Sequence, residues 1–145
     1  MALGSTFESD LLNLWLCAKP IANIADNAAA SPLTATWSAL HTADPSSGNQ
    51  ATSELALTGY ARVATTRTTA GYAVSGSGPA TASPVTSITF PQCTSTSTGT
   101  ATHWSVGTSS AGAGKLLASG ALSPVINISQ NVTPQVTTGS SITLS

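Results

Sequence analysis

Leu33–Leu40 reads LTATWSAL, a run in which Leu33, Ala35, Trp37 and Ala39 alternate with Thr34, Thr36 and Ser38. Successive side chains of a strand point to opposite faces, so the run predicts a half-buried strand with Leu33, Ala35, Trp37 and Ala39 on the core side. The residues that follow, His41–Gln50 (HTADPSSGNQ), gather Asp, Pro, Ser, Gly and Asn and read as an exposed loop. Within it Asp44-Pro45 starts a turn, the aspartate side chain accepting from the nearby backbone.

The same grammar continues to the C-terminus. Short runs rich in Thr and Val predict further strands at Tyr60–Arg67, Tyr72–Ser75, Val85–Phe90, Thr100–Val106, Lys115–Leu122, Val125–Ser129, Val132–Thr137 and Ser141–Leu144. Turn-rich gaps at Gly76–Pro79, Cys93–Gly99, Ser109–Gly114 and Gly139–Ser140 separate them. Short strands at this spacing, with no helix of useful length between them, disfavour a parallel βαβ topology and point to an all-β, antiparallel β-sandwich of jelly-roll type. No repeat of fixed period supports a solenoid or propeller.

Upstream of Leu33 the period changes. Phe7, Leu11, Leu14, Trp15 and Ala18 recur at helical spacing, Ser5 and Glu8 make a capping-box pair, and Pro20 closes the segment. One N-terminal α-helix is therefore expected over 7–18. Its apolar stripe, with Leu11 and Trp15, either packs on the sheet or docks on a neighbouring subunit. The Ala- and Asn-rich residues 21–30 prolong the helix after a kink or cross irregularly. The organisation expected is a helix and arm over 1–32 and a β-sandwich domain over 33–145.

Composition narrows the function. The chain has 145 residues with four Lys+Arg, five Asp+Glu and a formal charge of −1, so charged residues are 6% of it, against about 25% in an ordinary soluble domain. Twenty-two Ser and 23 Thr take their place. Threonine suits this architecture because its β-branched carbon fits a pleated strand while its hydroxyl wets the outer face without a charge. Nucleic acid is excluded as a partner held by charge, since neutralising phosphates needs clustered cations, and Lys19, Arg62, Arg67 and Lys115 are scattered. Near-neutrality gives no attraction to anionic membranes, and no run of about 18 apolar residues could span one. With 41% hydrophobic residues, charge-driven disorder is disfavoured. No Lys or Arg precedes the first apolar run, so no secretory signal is expected and the chain is expected to be made, and to stay soluble, in a cytoplasm.

Chemistry is sparse. Ser109–Lys115 (SSAGAGK) fails as a phosphate loop, with Ser109 where the first glycine belongs and Leu116 where a Ser or Thr should follow the lysine. It reads as a hairpin turn. His41, Asp44 and His103 could be assembled with some serine into a triad on paper, but among 22 serines that carries no information, and no G-x-S-x-G elbow occurs. His103 reads as a solvent-facing or interface histidine. Cys17 and Cys93 are too far apart for a metal or redox pair, leaving packed free thiols or a bridge. The five carboxylates and two histidines show no metal-ligand spacing. No catalytic, cofactor or metal site is expected. The few aromatics, Phe7, Trp15, Trp37, Tyr60, Tyr72, Phe90 and Trp104, read as core anchors or subunit contacts.

Five elements in order carry a resemblance. They are Leu40-His41-Thr42-Ala43-Asp44-Pro45; Ser53-Glu54 with Thr58-Gly59-Tyr60-Ala61-Arg62-Val63; Ile88-Thr89-Phe90-Pro91; Thr102-His103-Trp104-Ser105-Val106-Gly107; and Gly112 to Leu122. Together they resemble a family of small tailed-bacteriophage virion proteins. The resemblance implies a non-enzymatic assembly part made in the host bacterial cytoplasm. It is similar to cement, or decoration, proteins on the outer head surface that clamp adjacent major capsid proteins. The partners implied are the major capsid protein and further copies of itself, as dimer or trimer, with no nucleic acid and no membrane. The alternative is a tail-fibre or minor tail protein that contacts the host surface. Candidate partner contacts are Leu11, Trp15, His41, Asp44, Pro45 and Thr96, with low charge predicting weak salt dependence.

Overall fold

The computed structural model describes residues 2–4, 6–7, 20–22, 24, 33–75 and 80–144. Among them the protein is all-β and antiparallel. Ten strands run in chain order: β1 (Ala2–Leu3), β2 (Ala35–His41), β3 (Val63–Thr66), β4 (Tyr72–Ser75), β5 (Ala80–Pro84), β6 (Ile88–Thr89), β7 (Gly99–Gly107), β8 (Leu116–Ile128), β9 (Gln135–Val136) and β10 (Ile142–Leu144). They form a five-stranded sheet in the order β1-β8-β7-β2-β3, a three-stranded sheet β10-β5-β4 and a two-stranded sheet β6-β9. Of the helix expected over 7–18, only Phe7 lies within the described residues, and Leu11, Trp15 and Cys17 lie outside them.

The Gly-rich segment Ser109–Gly114 joins β7 to β8 as a hairpin closed by Thr108 N–H on the Lys115 carbonyl at 3.1 Å. Two runs that read as separate strands, Lys115–Leu122 and Val125–Ser129, are one strand, β8. It stays in register with β7 on both sides of an irregularity: Ala101 faces Ile126 and His103 faces Ala121, so Leu122–Val125 bows out opposite Thr102 alone. Two strands went unread. Ala80–Pro84 (ATASP) has little strand propensity of its own and is held by pairing with both β4 and β10. Ala2–Leu3 adds an edge to β8. The strands expected at Tyr60–Arg67, Val85–Phe90 and Val132–Thr137 shrink to β3, β6 and β9.

β2 reverses the predicted faces. Leu40 pairs with Trp104 and Ser38 with Val106, and directly opposed residues share a face. That face carries the core of Leu40, Trp104, Val106, Ile88, Phe90 and Val136. Thr36 and Ser38, expected outside, are therefore buried, whereas Trp37 is only half-buried. The alternation failed because β2 is covered on both sides. Ala39 and His41, on the opposite face, are sealed by the loops that follow β2 and β7. The threonine and serine here are small, hydroxyl-bearing core fillers.

Ser38 Oγ and Trp104 Nε1 are buried and find no partner among the described residues. An unmade hydrogen bond in the interior costs free energy. Ser38→Ala should consequently leave stability unchanged or raise it, within about 1 kcal/mol, in urea unfolding. A loss of more than that would show that the hydroxyl does have a partner.

Candidate functional site

Four of the five quoted sequence elements meet around β2, where two polar networks lock the loop that follows it. The first is built on Glu54, Tyr60 and Arg62. Arg62 is nearly fully buried and grips Glu54 with two hydrogen bonds, Nε to Oε1 at 2.7 Å and Nη2 to Oε2 at 2.6 Å. It also donates to the carbonyls of Ser109 at 2.9 Å and Gly112 at 2.7 Å. A planar fork with several fixed donors suits this bridging, which a lysine could not reproduce. The Tyr60 hydroxyl donates to Glu54 Oε1 at 3.1 Å and accepts from the Leu40 backbone N–H at 2.9 Å. Burial pushes its pKa above the ordinary tyrosine value. Its ring stacks on Phe90, centroids 6.0 Å apart. One arginine thus ties the loop after β2 to the β7–β8 hairpin, and one tyrosine ties the same loop to β2 and the core.

The second network centres on His41. Nδ1 faces the Thr52 carbonyl at 2.9 Å, and Nε2 faces Ser105 Oγ at 2.7 Å. A carbonyl can only accept, so Nδ1 carries the proton and Nε2 accepts from the serine hydroxyl. A serine beside a histidine that is oriented through its other nitrogen is the arrangement of an activated nucleophile. Here both residues are 0% exposed, so no substrate reaches them, and the pair serves as a structural clamp between β2 and β7. Gln50 completes the seal: its Nε2 donates to the Trp37 carbonyl at 3.1 Å and its Oε1 accepts from Ser109 N–H at 2.9 Å. Gly107 makes room for it, since a Cβ there would lie 2.0 Å from Gln50 Cδ.

Burial lowers the His41 pKa from 6.5, against smaller opposing contributions led by the Thr52 carbonyl bond. The folded state therefore resists protonation while the unfolded chain accepts a proton near 6.5. Stability is complete above that pH and is lost as pH falls through it toward the folded-state value. Urea unfolding at pH 7.5, 6 and 5 should show the decline, and His41→Gln should flatten it. An equal slope in the variant would assign the decline to other groups. Asp44, whose carboxylate is held below its ordinary 3.8 chiefly by the Ser46 backbone N–H, acts only at lower pH.

The other expected residues divide. Asp44 is exposed and makes the predicted turn, Oδ1 accepting from Ser46 N–H and Oδ2 from Ser46 Oγ, both at 2.9 Å. Pro45 is buried beside it. Thr96 is exposed. His41 and Pro45 thus have no side-chain surface to offer a partner in this chain, while Asp44 and Thr96 do. His103 is half-buried, its Nδ1 2.9 Å from Thr102 Oγ1. Cys93 is a buried free thiol. Among the described residues, no group of three or more His, Cys, Asp or Glu side chains could hold a metal, and no helix is long and apolar enough to cross a membrane. Glu54, Arg62, Tyr60, Ser105 and Gln50 were not among the candidate site residues. Glu54, Tyr60 and Arg62 stood in the quoted elements, but their convergence was invisible.

A family model described as podophage GP4 fiber I protein gp80 matches residues 14–144. The chain belongs to this family. It is a structural protein of the bacteriophage virion. The match to the gp80 fiber I family covers every strand from β2 to β10 and both polar networks. No curated protein matches the chain.

Proposed function

We propose that the chain is a structural component of a podophage tail fibre, acting through assembly rather than catalysis. The observation that carries this reading is the family description, a fiber protein, over residues 14–144. The buried ion pair and the sealed Ser105–His41 pair favour it further, because they spend the polar chemistry of the chain on rigidity. The body is a β-sandwich in this proposal, the two smaller sheets packing on the five-stranded one. Its partners are further copies of the chain and neighbouring virion proteins. Contacts are made by hydroxyl, backbone and apolar groups and respond weakly to salt.

The second reading is a cement protein on the outer head surface, clamping the major capsid protein. A small, nearly uncharged body favours it, since dense neighbours of high charge would repel one another. Location separates the two. Immunogold labelling or a virion reconstruction should place the chain on the tail, in a copy number well below that of the major capsid protein. Labelling distributed over the head in hundreds of copies would overturn the fibre reading in favour of the cement one.

A further inference from the structure

A cleft of roughly 560 Å³ opens between the bowed stretch Leu122–Val125 of β8, strand β9 and the segment that follows it to Ser141, a size within the range of small-ligand sites, about 300–1,000 Å³. Trp104, Leu122, Pro124 and Val125 supply apolar lining, and Asn127 and Gln135 supply polar lining. No charged residue is among the described residues that line it.

The two amides are half-committed. Asn127 Oδ1 accepts from Thr100 Oγ1 at 3.0 Å, which orients the amide and leaves its NH2 group without a partner among the described residues. Gln135 Nε2 donates to Thr89 Oγ1 at 3.0 Å and leaves its carbonyl oxygen in the same condition. Both residues are exposed. The cleft lining therefore includes one amide with a spare donor and one with a spare acceptor, together with serine and threonine residues and the apolar Leu122, Pro124 and Val125.

We propose that this cleft binds a short stretch of uncharged oligosaccharide. A sugar hydroxyl both donates and accepts, which matches an amide donor beside an amide acceptor, and the C–H face of a pyranose ring covers the Pro124–Val125 wall. A phosphorylated or carboxylated ligand would lose hydration in a lining that offers its charge no counter-ion. The proposal deepens the fibre reading by naming the class of host-surface molecule the fibre would hold, and it is tested on the isolated chain, whereas location is tested on the virion.

The purified full chain should be titrated with maltohexaose, cellohexaose, mannohexaose and chitohexaose, and with a hyaluronan hexasaccharide as the charged comparison, by calorimetry and tryptophan fluorescence. At least one neutral hexasaccharide should bind saturably, with a change in the emission of Trp104 beside it. The double variant Asn127→Ala/Gln135→Ala should weaken that binding by about tenfold or more with an unchanged melting temperature, both side chains being exposed. The proposal is overturned if no neutral sugar binds up to roughly 10 mM, if hyaluronan binds as tightly, or if the double variant binds like the wild type. It is equally overturned if the variant loses self-association instead, which would make a protein segment the occupant.

Discussion

Arg62→Ala should melt about 10 °C or more below the wild type, a loss of about 3–5 kcal/mol in a chain of this size. The substitution removes all four hydrogen bonds of the guanidinium at once. It leaves the Glu54 carboxylate without its counter-ion and the Ser109 and Gly112 carbonyls without their donors. Breaking one partner of a buried pair is costly because the other stays desolvated and uncompensated. Glu54, with 20% of its side chain exposed, recovers some water, so Glu54→Ala should fall at the lower end or below it. Arg62→Lys should rescue little, since an ammonium cannot span the carboxylate and both carbonyls. The double variant Glu54→Ala/Arg62→Ala should cost less than the sum of the single losses, because each removes the other's orphan. Additive losses would sink the coupled-network account.

Gly59→Ala should cost about 2–5 kcal/mol, the sum of a backbone term and an overpacking term. Gly59 sits at φ +92°, and an added Cβ would lie 2.6 Å from the Gln92 carbonyl oxygen and 2.9 Å from Thr94 N. These atoms cannot yield cheaply, because the segment is clamped by Thr94 and Ser95 N–H groups on the Thr58 carbonyl at 2.9 and 3.2 Å. Gly112 supplies the control. It too has positive φ, +68°, but a Cβ there meets nothing within 4 Å, so Gly112→Ala should cost only about 1–2 kcal/mol of backbone strain. Chemical denaturation of both variants reads the difference. Equal losses would show that the contact with Gln92 and Thr94 is not what makes Gly59 necessary.

Much of the β architecture was legible because its signals are local. The alternation in 33–40 located β2, short runs of β-branched and aromatic residues located β4, β7 and β10, and SSAGAGK announced a hairpin turn that is the β7–β8 connection. What failed was non-local. Ala80–Pro84 is a strand because β4 and β10 lie on either side of it. β2 buries Ala39 and His41 because loops cover its second face, while Thr36 and Ser38 share the core face with Leu40, an arrangement no period-2 pattern contains. His41 and Ser105 are 64 residues apart, and Arg62 reaches a carbonyl 50 residues away. Among the site residues, Asp44 behaved as its neighbours predict because an aspartate capping a turn needs only Ser46 two positions on.

The sequence by itself therefore determined a nearly uncharged, hydroxyl-rich, all-β chain with no recognisable catalytic or metal motif, along with the ordered elements of a phage virion protein. Composition and short-range periodicity act over a few residues, and those are the distances at which propensity and turn chemistry operate. Only the tertiary structure decided which face of β2 is core, that residues from four of the quoted elements meet in two locks around β2, and that Asn127 and Gln135 line one cleft. Those outcomes depend on which strands pair and which side chains lose water together, and both are properties of the packed chain.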